Sequence, residues 1–454
     1  MRRGTVAALV VMALGGSAWA MFMQPTGMPV DRLVANLGQR LKDHPDDARL
    51  TYLLGRVHTY AFVFHNRLVP AFAEDSNEPW VAGTAQAEQF QVQIEEDEKA
   101  LENLVKNGTA QDWQRRRLEE LRTVRALGPL TEAELHTHLV EGLRGHLRAI
   151  ALDPKEPEFH LGLAYLLEQG AAEAPKLDVD PLPAARAEPA GGEASGDTEA
   201  PPPEARTPAW RARAETEYLC AFELAAQPDL DKAERPISPG GLRDRLSYEA
   251  ALGALRLVDA RPEHEGDEAL RSRLREQMHK IEILPLPKWV TPILFSLTDA
   301  RPLDALLSDR TAVFDLDGDG RAERWPWLQP DTALLVWDPD ATGRVTSGLQ
   351  LFGSVTWWLF FADGYQALDL LDDDGDGWVA GAELAGLALW QDRDGDGMSD
   401  AGEVTPIECT DIDALATRVT GRVGRSLVSE QGLRLRDGRR LPTYDWVTAP
   451  AAEP

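Results

Sequence analysis

The residues with the clearest chemistry are the carboxylates between Asp372 and Glu403. Asp372, Asp374, Asp376, Gly377 and Glu383 fill positions 1, 3, 5, 6 and 12 of a D-x-D-x-D-G-x5-E calcium loop, and Asp392, Asp394, Asp396, Gly397 and Glu403 fill the same positions of a second. Ca2+ takes about six to eight hard oxygen ligands, so carboxylates at 1, 3 and 5 and a bidentate Glu at 12 suit it. The backbone carbonyl at position 7, here Trp378 or Met398, adds one more ligand. Three Asp within five residues repel one another unless a cation sits among them. Val379 and Ser399 occupy position 8, where paired loops join by a short β contact, and Val379 suits that role. Two incomplete loops precede the pair. Asp315, Asp317 and Asp319 lead to Gly320, but Pro326 stands at position 12, so the closing ligand must come from elsewhere. Asp338, Asp340 and Thr342 lead to Gly343 in the same way. The competing reading of these two is a tight Asp/Gly turn held by Asx hydrogen bonds.

The elements around these loops are short. The two complete loops begin at residues 372 and 392, which leaves room for one helical turn and a strand at 387–390. That spacing predicts a structural clasp, because a sensor that opens a groove needs two full helices. From Trp289 onward, apolar runs at 290–297, 312–316 and 333–337 alternate with Asp/Gly turns and read as strands. Nine of the thirteen Trp fall here, which predicts a mixed domain with an aromatic core.

The chain before it reads as helical. Asp31 is a plausible N-cap for a helix carrying Leu33, Val34, Leu37 and Leu41 on one face. Pro45 breaks that helix, and a second follows through Leu54 and Gly55. Pro45 with Leu54-Gly55, and Pro154 with Leu161-Gly162, resemble the tetratricopeptide pattern, in which a small residue lets two helices approach. The second copy is two residues short, and an irregular bundle fits equally well. Residues 171–208, rich in Ala, Pro, Glu and Gly, read as a disordered linker. The expected organisation is therefore an α+β multidomain chain. Its parts are a signal peptide at 1–20, a helical region at 21–170, the linker, more helix at 209–284 and a calcium-binding domain at 285–450.

Residues 290–447 resemble a calcium-binding module of large secreted bacterial proteins, found beside haemolysin-type (RTX-like) repeats. The matching stretches include Phe314-Asp-Leu-Asp-Gly-Asp-Gly320, Leu334-Leu-Val-Trp-Asp338, Asp363-Gly-Tyr-Gln-Ala-Leu368, Leu389 to Gly397 and the closing Gly432 to Arg439 with Tyr444-Asp-Trp446. The chain departs from that pattern in three places. The family often has an Asp-rich loop where 295–301 stands, so a cation is not expected there. Gln350 stands where a Glu commonly follows the second loop, which weakens the Asp338 site. Trp357-Trp358-Leu359-Phe360-Phe361 replaces a polar stretch and is read as core, with an exposed partner patch as the alternative.

Composition narrows the function. A net charge of −28 argues against nucleic acid and anionic membrane surfaces. Arg2 and Arg3, an apolar run at 6–14 and Ala18-Trp19-Ala20 read as an export signal, and no later stretch is apolar enough to span a bilayer. Cys220 and Cys409 are not expected to pair. His136, His138 and His146 cluster in sequence without a metal-protease spacing, and neither G-x-S-x-G nor a P-loop occurs. The expectation is an exported, non-enzymatic Ca2+-binding protein whose helices meet a protein partner. The alternatives are a scaffold in which calcium is purely structural, and a surface hydrolase or carbohydrate-binding protein using the Trp-rich domain.

Overall fold

The structure, a computed structural model, describes residues 27–70, 99, 101–108, 112–178, 180–182, 202–226, 240–283, 289–318 and 320–451. The expected signal peptide, Asp319 and much of the expected linker lie outside the described residues. The architecture is α+β, with helices in the N-terminal half and a curled antiparallel sheet in the C-terminal part.

Helix α1 (Val30–Asp43) buries Val30, Leu33 and Leu37, the stripe expected from its 3.6-residue period. Asp31 is not its cap. Pro29 precedes the helix, and Asp31 lies in the first turn, where a carboxylate still favours the helix dipole. Helix α2 (Ala48–Phe64) is capped by Asp47, whose side chain accepts from Leu50 N at 2.9 Å. A small sheet, β1 (Gly27–Pro29) with β2 (Leu68–Pro70), ties the ends of this hairpin together. Helices α3 (Asp112–Leu127), α4 (Glu132–Leu152), α5 (Pro157–Gly170), α6 (Pro203–Ala226), α7 (Gly240–Ala260) and α8 (Asp267–Ile283) follow. From α4 to α8 the helices share one core that includes Leu139, Leu143, Leu163, Trp210, Phe222 and Leu274. The helices on the two sides of the expected linker are thus one bundle. The linker itself is shorter than expected at both ends. Ala171, Ala174 and Leu177 are buried, and α6 already begins at Pro203, a residue suited to a first helical turn.

Glycine sets the closest helix approach. A Cβ on Gly145 of α4 would lie 2.7 Å from the Cα of Gly55 on α2, so the two backbones meet where neither carries a side chain. The small-residue contact read from Leu54-Gly55 exists, but it joins α2 to α4 rather than to its own hairpin partner.

The main sheet has nine strands: β3 (Ile293–Ser296), β6 (Thr332–Trp337), β7 (Trp378–Ala380), β8 (Leu387–Trp390), β9 (Val404–Pro406), β10 (Ile412–Ala416), β11 (Gly421–Val423), β12 (Ser426–Leu435) and β13 (Arg440–Asp445). Their spatial order is β7-β10-β12-β13-β3-β6-β8-β9, with β11 on β12. Only residues 381–386 connect β7, at one edge, to β8, near the other. A flat sheet would set these strands roughly 29 Å apart at the usual spacing, and the connection reaches at most about 25 Å even when extended. The sheet must therefore curl.

Side-chain alternation gives the sheet two apolar faces. Phe295, Ala333, Leu335, Trp337, Leu387 and Leu389 point to one face, and the core there also takes in Leu33, Leu37, Leu53, Val57 and Ala61 of α1 and α2. Leu294, Leu334, Val336, Ala388 and Trp390 point to the other, where a separate hairpin packs: β4 (Leu307–Phe314) with β5 (Glu323–Leu328), through Phe314, Trp325 and Trp327. The boundary expected near residue 285 is thus not a division of cores, because α1 and α2 cover the sheet. The 357–361 run is core, with all five residues buried. Trp357, Trp358 and Phe360 hold left-handed φ values of 50°, 56° and 60°. Such backbone costs about 1–3 kcal/mol per residue, an amount that burying an aromatic ring, at about 1.5–3 kcal/mol, offsets. Arg56 and Tyr60 of α2 donate to the Trp358 carbonyl at 2.6 and 3.0 Å, fixing this segment against the helices.

Candidate metal centre

The two complete loops lie at the two ends of the connection that forces the sheet to curl. Loop 1 (372–383) contains β7 and the start of that connection, and loop 2 (392–403) links β8 to β9. Their internal hydrogen bonds are nearly identical. Asp372 accepts from Gly375 N and Gly377 N at 2.7 and 2.8 Å, and Asp392 accepts from Gly395 N and Gly397 N at 2.8 Å each. Asp376 and Asp396 each accept from the backbone N–H two residues on. Glu383 folds back to accept from Asp373 N and Ala380 N, and Glu403 does the same with Arg393 N and Asp400 N. The glycines at positions 4 and 6 of both loops have φ between 76° and 91°, which permits this tight winding.

This winding gathers ligand atoms. Oxygens of Asp372, Asp374 and Glu383 lie within 4.8 Å of one another, as do those of Asp392, Asp394 and Glu403. Asp396 gathers with Asp394 and Asp400. Burial pushes the carboxyls of Asp372 and Asp392 above their ordinary range, against the pull of the glycine N–H donors. A buried carboxylate with two acidic neighbours within reach suits a hard divalent cation. Trp378 and Met398 stand at the backbone-carbonyl position of the pattern read from the sequence. Gly381–Leu384 forms a single 3-10 turn and Leu387–Trp390 a strand, as the spacing predicts.

Position 8 behaves differently from the expectation for paired loops. Val379 pairs with Leu415 of β10, and the Ser399 hydroxyl accepts from Val345 N at 2.8 Å. The sheet takes up the strand that a partner loop would otherwise have bound.

Each loop is also held from outside by residues that sequence spacing could not reveal. Trp327 of β5 donates its indole N–H to Asp392 Oδ2 at 2.5 Å, and Arg310 of β4 donates to the Asp394 carbonyl at 3.2 Å. At loop 1 the contacts come from α1. Arg32 and Asn36 both donate to Asp373 Oδ1, at 2.8 and 2.7 Å. Arg40 bonds the carbonyls of Asp369 and Asp372 and the Asp369 carboxylate. Nothing in the sequence of α1 named its receptor.

The other acidic stretches are arranged differently. Asp315 opens the turn of the β4–β5 hairpin and accepts weakly from Gly320 N at 3.3 Å, Asp317 is buried nearby, and Asp319 lies outside the described residues. At the Asp338 loop, Asp338 accepts from Thr342 N, Thr342 Oγ1 and Gly343 N, so the Thr342 hydroxyl is turned inward. Asp340 faces the buried guanidinium of Arg117 at 2.8 Å. The charge beside Asp340 is thus supplied by an arginine, which departs from the ligand role read for it in the sequence. Arg301 does the same in the 295–301 turn, bridging Asp299 and Asp331 at 2.7 and 2.5 Å and donating to Ser296 and Thr298 hydroxyls. Both carboxylates are held below their ordinary range by it. The histidines divide among separate partners: His136 meets Glu173, His138 meets His58 and His146 meets Thr59. Cys220 and Cys409 form no disulfide.

Comparison with known proteins follows this geometry. The model of a family described as the SPM domain matches residues 299–445, which carry β4 through β13 and both loops. Iron-regulated protein FrpA of Neisseria meningitidis serogroup C is 36% identical over 109 residues, 23% of this chain and 10% of FrpA. The chain thus spans about a tenth of the length of that curated relative. Among the described residues, no helix is long and apolar enough to cross a membrane.

Proposed function

We propose that this chain is an exported, non-enzymatic calcium-binding protein, in which loops 1 and 2 hold Ca2+ and the helical half offers a surface to a protein partner. The observation that carries the reading is the repeated loop geometry. Two separate segments wind in nearly the same way, and each gathers one carboxylate from each of positions 1, 3 and 12. Closing a loop of mutually repelling carboxylates on a cation is coupled to folding. Outside a cell, dissociation constants of roughly 10⁻⁴ to 10⁻³ M suffice. The amino-terminal signal-like sequence supports export.

Calorimetry on the full chain tests this. Two calcium sites are expected, Glu383→Gln removing the first and Glu403→Gln the second, and EDTA lowers the melting temperature. Absence of calcium heat together with an EDTA-insensitive melt sinks the reading.

A further inference from the structure

The side chains of α1 that reach loop 1 lie four residues apart, at 32, 36 and 40, and so form one row along the helix. All three point at the limb of chain that enters the loop. Asn36 donates to the Leu370 carbonyl at 2.9 Å, Arg32 to the Leu371 carbonyl at 3.0 Å and Arg40 to the Asp369 and Asp372 carbonyls at 3.1 and 2.9 Å. Four consecutive carbonyls, 369 to 372, are thus held by one helix. The side chains they engage, Asp369 and Asp373, lie outside positions 1, 3, 5 and 12. Arg40 approaches the position-1 carboxylate no closer than 3.4 Å, at Asp372 Oδ2. The row therefore grips the backbone and leaves the ligand set facing inward. A Cβ on Gly375 would lie 3.2 Å from Arg40 Nη1, so the guanidinium packs directly beneath the loop. Among the described residues, loop 2 is held from the sheet half of the chain, by Trp327 and Arg310 of the β4–β5 hairpin and by Val345 at Ser399.

We propose that Arg32, Asn36 and Arg40 are positioning residues for the loop 1 cation, so that calcium at this loop and docking of the amino-terminal helix on the sheet stabilise each other. The inference rests on the calcium reading of loop 1. Coupling of this kind is reciprocal: if the helix raises the affinity of the loop, the ion must raise the stability of the docked helix by the same factor. Among the described residues, loop 2 has no helical partner of this kind, so the two ions play different parts. The second ties β8 to β9, and the first ties the sheet to the helical half.

The experiment uses the full chain with one loop silenced at a time. In a Glu403→Gln background, calorimetry reads loop 1 alone; in a Glu383→Gln background it reads loop 2. The pair Asn36→Ala and Arg40→Ala is expected to weaken loop 1 by roughly 10-fold, the scale of losing groups that orient metal ligands, and to leave loop 2 within about 2-fold. Arg40→Lys, which keeps the charge but not the fork across two carbonyls, falls in between. Amide exchange across 30–43 slows on adding calcium to the Glu403→Gln chain and not to the Glu383→Gln chain. An unchanged or tightened loop 1 in the double variant overturns the coupling, as does exchange in α1 that ignores calcium. If the Glu403→Gln chain takes up no calcium while the parent does, loop 1 is not a site and the proposal falls with it; if the parent takes up none, the calcium reading itself has failed.

Discussion

At the scale of single residues, the most informative group is one the loop motif does not contain. The Trp327 indole, buried between Phe314 and Trp390, spends its one N–H on Asp392. A hydrogen bond to a charged acceptor is worth about 1.5–3 kcal/mol. Trp327→Phe is therefore expected to weaken calcium at loop 2 by roughly 10-fold or more while loop 1 is untouched, as read by calorimetry in chains silenced at the other loop. Equal affinities in parent and variant would falsify the assignment. The winding of the two loops was legible because it is local: the Asp acceptors and the glycines that turn the chain are all set within twelve residues. Trp327 was not, because the 65 residues that separate it from Asp392 carry no periodicity that links them.

At the scale of elements, His160 shows how the helices are joined. Its ring, on α5, bonds Glu217 of α6 at 2.5 Å and the Pro154 carbonyl at 3.0 Å. Burial pulls its pKa down, but hydrogen bonds with Cys220, Glu217 and that carbonyl raise it to about 10. A histidine whose folded pKa lies above its unfolded value of about 6.5 contributes stability below that value and loses it as pH rises through 10. The melting temperature of the parent should therefore fall between pH 7 and 10 more steeply than that of His160→Gln; parallel slopes would show that the bond carries no linkage. Elements of this kind were partly readable. The helices at α1, α2, α4 and α5 and the strands at β6 and β8 follow from apolar spacing and proline breaks. The order of the sheet does not, since β3 lies between β13 and β6 through pairings that no local pattern encodes. The β1–β2 pair was missed for a similar reason: three residues are too few to show alternation.

At the scale of the whole molecule, α2 belongs to both cores. Leu53 and Val57 pack with the sheet, while Phe62 packs with α4 to α7. A fragment of residues 285–451 would expose Trp357 to Phe361 and the sheet face that α1 and α2 cover. We predict that it loses the cooperative melt of the full chain and binds a hydrophobic dye; a sharp melt at the full-chain temperature would show that the helices are dispensable. The sequence suggested a division near residue 285 because composition changes there, but composition records what a segment is made of and not what covers it. One corner of this arrangement follows a separate rule. The ion between Asp299 and Asp331 is Arg301, covalently part of the chain and charged at any pH the fold survives. On the calcium reading proposed above, chelators and dilution would act on the carboxylates of loops 1 and 2, which would draw their counter-charge from the surrounding medium. The 295–301 turn carries its own, inherited rather than gathered, so its charge balance is the same in a calcium-poor setting as in a calcium-rich one.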